Sequence, residues 1–308
     1  MKELLQDATA GDPVSGLRWT HKNIRNLAGA LRRRGFTIGP TTVARLLRKL
    51  KYSLRTNRKR LVRTRDPDRD RQFRLMARRR QRYLRCGWPI ISVDAKKKEL
   101  VGNFKNSGVR WCDVPDDVLD HDFPNDAIGR AIPYGIYDEA RNTGHVVVGT
   151  SHETPEFAVK AIRTWWLKCG RRPYPKAPRL RIEADGGGAN GSRIWRWKIA
   201  LQKLADEIRL PIDVSHLPPG ASKWNWIEHR MFNLISKNWA GHPLRSYEIM
   251  LNHIRSTKSS TGFRCRASLD KCVYRVKIKV SKEDKKLEGL KRDKILPNWN
   301  YTVFPCNH

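Results

Sequence analysis

A mixed α/β domain on a five-stranded sheet, preceded by a small all-α helix-turn-helix unit, is the architecture this sequence predicts, and three observations predict it. The chain has 308 residues, 39% of them apolar and 11 of them tryptophan, enough for one large packed core and a small appended domain. From residue 67 onward, apolar runs of strand length alternate with stretches of helical period. Ahead of them, residues 1–90 carry 25 Lys+Arg against 6 Asp+Glu, more than half of a formal net charge of +33. A field this positive favours a polyanionic partner, because each phosphate contact releases condensed counterions. Nucleic acid is therefore the expected partner.

The front unit is assigned to residues 1–66. Thr20 precedes a helical pattern with Ile24, Leu27, Ala28 and Leu31 on one face, ended by Gly35. Gly39-Pro40 starts a second helix, with Val43, Leu46, Leu47 and Leu50 as its apolar stripe. Two short helices joined by GFTIGP make a helix-turn-helix pattern. Thr41, Thr42, Arg45, Arg48 and Lys49 fall away from the stripe, where a recognition helix presents side chains to the major groove of double-stranded DNA. The basic, turn-rich segment KYSLRTNRKRLVRTRDPDRDR reads as a linker that tracks phosphates.

Residues 67–308 form the second unit, entered through a basic helix over 67–86. The run 88–93 is the first strand and Asp94 ends it. Residues 131–137 and 145–149 give two more strands. Thr154 caps a helix whose apolar face is Phe157, Ala158, Ala161, Ile162, Trp165 and Trp166. Leu180, Ile182 and Ala184 alternate with Arg181, Glu183 and Asp185 in a fourth strand that stops at Gly186-Gly187-Gly188. Ser192 is the expected cap of a helix carrying Ile194, Trp197, Leu201, Leu204 and Ile208 inward, and residues 212–215 make the fifth strand. After Pro218-Pro219-Gly220, Ser222 is expected to cap a helix with Trp224, Ile227, Met231 and Leu234 inward and Glu228 above the sheet. The order βββαβαβα is that of a ribonuclease H-like domain. In that topology the first strand lies beside the fourth, so Asp94 and Asp185 become neighbours across 91 positions, and the last helix brings back Glu228, 43 positions further on.

Three carboxylates at one sheet edge have a chemical use. Two hard divalent cations, roughly 3.5 to 4 Å apart, need oxygen ligands while they clamp the attacking and leaving oxygens of a phosphodiester. Asp94, Asp185 and Glu228 are accordingly the candidate catalytic and metal-binding residues, with two Mg²⁺ or Mn²⁺ ions. Asp138, Glu99, Glu183 and Asp213 are the competing acids. Asn225, one helical turn before Glu228, is a candidate support for a metal ligand, and Lys96, with Lys97 and Lys98, for phosphate. The triple glycine allows close approach of a DNA strand, and His229 falls either on the surface or in the site wall. The cysteines at 86, 112, 169, 265, 272 and 306 form no CxxC pair and read as reduced thiols; Cys265, Cys272, Cys306 and His308 are a minor metal alternative. No signal-peptide core and no run of about 18 apolar residues occurs, so a cytoplasmic, nucleoid-associated protein is expected.

The motifs ISVDAKKKELVGNFKN, HDFPNDAIGRAIPYGIYD, ADGGGANG, HLPPGASKWNWIEHRMFN and NWNYTV closely resemble those of the Rhodopirellula-type DDE transposases of bacterial insertion sequences. The resemblance runs from about Thr20 to Val303. It implies a ribonuclease H-like catalytic domain, Mg²⁺ or Mn²⁺ dependence and recognition of terminal inverted repeats by the front domain, with Asp94, Asp185 and Glu228 at the acidic positions. A homo-oligomer on DNA, joining transposon ends to target DNA, is the expected assembly. The rivals are a metal-dependent nuclease or integrase using the same triad, and a non-catalytic DNA-binding remnant. Two departures bear on them: the chain starts close to its helix-turn-helix, as a truncated front domain would, and RCRASLDKCVYRVKIKVSKED replaces a tail that usually has a proline-glycine turn.

Overall fold

The structure, a computed structural model, describes residues 9–11, 18–20, 23–50, 52 and 66–306. It divides into two compact units, Met1–Leu61 and Val62–His308. Residues 53–65, most of the basic linker, lie outside the described residues.

In the first unit β1 (Thr9–Gly11) pairs antiparallel with β2 (Arg18–Thr20), and α1 (Ile24–Arg33) and α2 (Pro40–Lys49) follow. Asn23 caps α1, its Oδ1 accepting from Asn26 N at 2.8 Å, while Thr20 belongs to β2. Gly35 closes the helix at φ +84°, a conformation that costs a side chain strain. Leu27, Ala28, Leu31 and Val43 form a small buried core, with Ile38, Leu47 and Leu50 packed against it. Ile24, read as apolar face, is the first residue of α1 and is exposed.

The second unit opens with α3 (Arg69–Arg85), which buries Gln72, Leu75, Met76 and Tyr83. The unit is built on a nine-stranded sheet, larger than the five strands expected. The five are present: β3 (Ile90–Ala95), β5 (Gly129–Asp138), β6 (Thr143–Gly149), β7 (Leu180–Ala184) and β8 (Ile212–His216). They lie in the order β6-β5-β3-β7-β8, with β3 parallel to β7 and antiparallel to β5. That is the ribonuclease H-like centre. The short β4 (Glu99–Val101) pairs with β5. The remaining strands come from the chain's last fifth, where the sequence reading placed only an extension. β9 (Arg264–Asp270), from the divergent RCRASLD stretch, adds parallel to β6, and β11 (Asn300–Val303) adds antiparallel to β8, with β10 (Leu290–Arg292) beyond it.

Both faces of the sheet are covered. On one, α4 (Pro155–Trp165) and α5 (Trp195–Ile208) bury Phe157, Ile162, Trp165, Trp197 and Leu201 against Ile91, Val93, Ile136 and Ile182. Thr154 Oγ1 caps α4 as expected. Ser192 does not cap α5: Ile194 occupies that position without a side-chain bond, and the Ser192 carbonyl takes the Lys198 ammonium at 2.6 Å. On the other face a helical segment runs from a π turn at Glu228–Phe232 into α6 (Asn233–Asn238) and is followed by α7 (Tyr247–Ser256). These cover Tyr137, Val146 and Val148 with Met231, Phe232, Ile235 and Ile254. With both faces covered, Arg181 and Glu183, the polar half of the β7 alternation, are buried and pair with each other at 3.0 Å. Among the described residues no helix is long and apolar enough to cross a membrane.

Gly135 shows how close the π turn comes to the sheet. A Cβ there would overlap the Met231 methyl and lie 2.6 Å from Phe232 Cε1. Gly135→Ala is expected to lower stability by about 1–3 kcal/mol by overpacking, read as a fall in denaturation midpoint with unchanged slope; an unshifted midpoint would mean that the turn yields freely.

Candidate active site

Val93 of β3 and Ala184 of β7 are paired in register, so the next residue on each strand, Asp94 and Asp185, stands at the same sheet edge, beyond the carboxyl ends where α/β sheets bind ligands. Both line an open cleft of about 590 Å³, together with Lys96, Lys97, Lys98 and Glu153. Burial pushes Asp94 up to about 8, and the Asp185 charge, then Glu228 and Glu153, push the same way against the bond from the Ala95 amide. Burial likewise pushes Asp185 up to about 6; Glu153 and Glu228 add to it, and the Gly187 amide and Asn190 oppose it. Asp185 Oδ1 is buried and accepts no hydrogen bond. The site thus crowds buried carboxyl groups that resist ionising together, with an idle oxygen on Asp185, a donor set of the hard-oxygen kind that fits a divalent cation. Among the described residues, no three His, Cys, Asp or Glu side chains already stand grouped as a metal site.

Asn225 is 1% exposed and grips Asp94, Nδ2 donating to Oδ2 at 2.7 Å while its Oδ1 accepts from Ser92 Oγ at 3.0 Å. It is joined to the site more directly than spacing alone suggested. Three residues on, Glu228 is the first residue of the π turn and half-buried; it is outside the cleft lining, yet its charge reaches both aspartates. The expected helix start at Ser222 is replaced by a 3₁₀ turn, Ser222–Trp224. Trp224 therefore falls out of the helical register and is exposed rather than inward, beside Phe73 and under Arg69.

The lysines after Asp94 are partly committed: Lys96 pairs with Glu99 at 3.0 Å and lies 4.6 Å from the Trp239 ring, and Lys98 pairs with Glu153 at 3.2 Å. Gly188 adopts φ +61°, and a Cβ there would come within 3.3 Å of Glu153 Oε1, so glycine at this position leaves room for a carboxylate beside Asp185. His229 is exposed. The competing acids have partners of their own: Asp138 accepts from Tyr174 at 2.9 Å, Glu183 pairs with Arg181, Asp213 with Arg179 at 2.8 Å, and Glu99 with Lys96. In the late cysteine group Cys265 is buried on β9, and His308 lies outside the described residues. On α2, Thr41, Arg45, Arg48 and Lys49 are exposed and Thr42 is half-buried.

Three residues of the site escaped sequence reading. Glu153 follows β6 on the loop before α4, where nothing but a strand end marks it. Tyr134 carries a buried hydroxyl without a hydrogen-bond partner, held in its neutral form first by burial and then by Asp94, Asp185 and Glu153. His216 fixes the backbone at Asp185: a carbonyl only accepts, so Nδ1–H donates to the Asp185 oxygen at 3.0 Å. Burial lowers His216 to about 4, so Nε2 accepts from the Tyr301 hydroxyl at 3.0 Å, whose oxygen takes Trp197 Nε1–H at 2.9 Å.

Among curated proteins, none matches the chain. Solved structures to which the chain shows a likeness include the Mos1 transposase paired-end complex with left transposon end, at 13% identity and TM-score 0.43. The others reported are the mariner Mos1 paired-end complexes with Mn, at 16% and 0.40, and with Mg, at 14% and 0.42. Each match covers 80% of this chain, which spans 66% of the Mos1 chain. The description Rhodopirellula transposase DDE domain matches residues 1–305, and the chain belongs to that family.

Proposed function

We propose that the protein is a DNA transposase that binds transposon terminal repeats through residues 1–66 and cuts and joins DNA strands with residues 67–308, at the cleft of Asp94, Asp185 and Glu228. The observation that carries this reading is the pair of buried aspartates at one sheet edge, within the field of Glu228, in a DDE-family chain of net charge +33. Asp94, Asp185 and Glu228 would hold Mg²⁺ or Mn²⁺, two ions in all, which when bound supply Lewis-acid activation of water or hydroxyl and charge neutralisation at phosphorus.

The chain's own residues do the rest. Asn225 keeps the Asp94 carboxylate in one orientation, and His216 keeps the Asp185 backbone in another. Lys97, with the paired Lys96 and Lys98, offers positive charge to the phosphates at the cleft mouth. Thr41, Thr42, Arg45, Arg48 and Lys49 would meet the repeat. In the first reaction a water oxygen bonds to phosphorus as the 3′ oxygen leaves; in the second that 3′ hydroxyl attacks a target phosphodiester. Each step exchanges one P–O bond for another, so neither an external energy source nor a covalent protein intermediate is needed. Handling two ends in one complex calls for a homo-oligomer on DNA, acting at a bacterial nucleoid.

Incubation with a labelled transposon-end duplex and Mn²⁺ tests the reading. Wild type is expected to nick and join strands, and Asp185→Asn to bind without product. Nicking without joining would point to a nuclease, and binding without product in either protein to an inactive remnant.

A further inference from the structure

Beside the active cleft the second unit has another cavity, of about 530 Å³, that the proposed reaction does not use. Asn190 lines the cleft and Ser192 lines this cavity, so the loop after Asp185 walls both. Its size falls within the roughly 300–1,000 Å³ of small-ligand sites. Three stretches build it: Asp66 and Asp68 ahead of α3, the start of α5 from Ser192, and the turn 292–299 that leads from β10 into β11. That turn has its shape before any ligand arrives. Arg292 Nη1 donates to Pro297 O at 3.1 Å, and the buried Asn300 Nδ2 donates to Leu296 O at 3.2 Å and to Gln72 Oε1 at 2.7 Å. Leu296 adopts φ +52°, a left-handed conformation that a leucine takes only where its surroundings impose it.

The lining combines cations with aromatic rings. Lys198 is 2% exposed. Its ammonium donates to the Ser192 carbonyl and lies 5.1 Å from the centre of the Trp195 ring, and among the described residues no carboxylate pairs with it. A lysine ammonium has three donors, so most of its hydrogen-bonding capacity is left for a ligand. Burial, and then the Arg292 charge, lower it to about 8, as befits a cation held without a counter-ion. Arg193 and Arg292 add two exposed positive charges, and Trp195 and Trp299, both half-buried, add flat apolar surface. The two acids of the lining are engaged elsewhere: Asp68 pairs with Arg71 at 3.9 Å, and Asp66 Oδ1 accepts the Asp68 amide at 3.0 Å.

We propose that this cavity binds a nucleoside monophosphate unit, its phosphate on Lys198, Arg193 and Arg292 and its base against the indoles of Trp195 and Trp299. The two features select the ligand together. Cations alone would take any anion and rings alone any flat apolar group, whereas a phosphate joined to a flat ring is a nucleotide. Asp66 and Asp68 supply acceptors for a sugar hydroxyl or a base amine. Such a unit has two sources, a free mononucleotide or one residue of a DNA strand that continues past the cleft. The inference deepens the proposed function and rests on that reading for the second source, but not for its test.

The test is calorimetric titration of the full chain, in EDTA, with thymidine 5′-monophosphate, thymidine, inorganic phosphate and a 5′-phosphorylated tetrathymidylate. Wild type is expected to bind the monophosphate more tightly than thymidine or phosphate. Lys198→Met, and separately Arg193→Ala with Arg292→Ala, are expected to weaken that binding at least about tenfold, the loss of charge-assisted bonds to phosphate. The arginine pair is exposed, so its melting should not change even if Lys198→Met unfolds. Trp195→Leu should weaken the monophosphate and leave phosphate alone unaffected. Tighter binding of the tetranucleotide than of the monophosphate supports a strand as the source, and equal binding supports a free nucleotide. Asp185→Asn should bind the monophosphate like wild type even if no strand is ever nicked, which separates this proposal from the catalytic one. A wild type that binds no monophosphate, an arginine variant that binds it as well as wild type, or inorganic phosphate bound as tightly as the monophosphate would overturn it.

Discussion

Glu228→Gln is expected to lower metal-dependent strand nicking by about 10³-fold, roughly 4 kcal/mol of transition-state stabilisation, whereas Glu153→Gln should lower it by no more than about tenfold. Both carboxylates act on the two aspartates, and only Glu153 lines the cleft, so proximity alone would favour Glu153. Two features reverse that preference. Glu153 already neutralises Lys98 at 3.2 Å, and a paired carboxylate gives up that partner when it takes a cation. Glu228 instead lies three residues beyond Asn225, whose side chain bonds directly to Asp94, so the segment bearing Glu228 is indexed to the aspartate edge. The π turn that begins at Glu228 is a device often found where a helix must aim one side chain at a functional site. Rates on a labelled end duplex, with binding measured in parallel, decide the matter; equal losses in the two variants, or a larger loss in Glu153→Gln, would give the third ligand position to the β6–α4 loop.

The central sheet was legible because its strands are bounded by sharp punctuation: Asp94 after five apolar or small residues, the glycines after Asp185, the Pro-Pro-Gly before Glu228. Those same boundaries delivered Asp94 and Asp185 to one edge, since register between parallel strands follows once order is set. What stayed hidden depends on tertiary partners. β9 (RCRASLD) and β11 (NYTV) do alternate polar with apolar residues, but over only 7 and 4 positions, too short a signal to stand without a partner, and they become strands because β6 and β8 offer open edges. Ser192 and Ser222 have cap chemistry, but the chain turns into its helices three and four residues later, at Trp195 and Trp226. Glu153, Tyr134 and His216 join the site through burial and long-range contact, which leave no local pattern to read.

The stability of the ion-free protein is expected to fall as pH rises from about 4 to about 8, and a divalent ion is expected to restore it most at the alkaline end. The sign follows from the aspartates. Asp94 and Asp185 in the folded chain titrate near 8 and 6, above the value of about 3.9 of an unfolded aspartate. The folded state therefore holds protons that the unfolded state has lost, and its stability, complete below pH 4, drains away through those two values. Cation binding needs the ionised carboxylates, so it releases these protons and its stabilising effect grows with pH; an ion at 100 times its Kd adds about 2.7 kcal/mol. Glu139, also pushed to about 8 by burial, bends the profile the same way from outside the site. The diagnostic quantity is thus the difference between wild type and Asp94→Asn/Asp185→Asn. That variant should be more stable than wild type at pH 8 in EDTA, by about 1–3 kcal/mol, and similar to it at pH 4. Its melting temperature should not respond to Mg²⁺ or Mn²⁺, whereas wild type should gain several degrees at pH 8 and little at pH 5. A wild type indifferent to both ions at pH 8, or a variant that gains as much as wild type, would remove the carboxylate edge from consideration as a cation site.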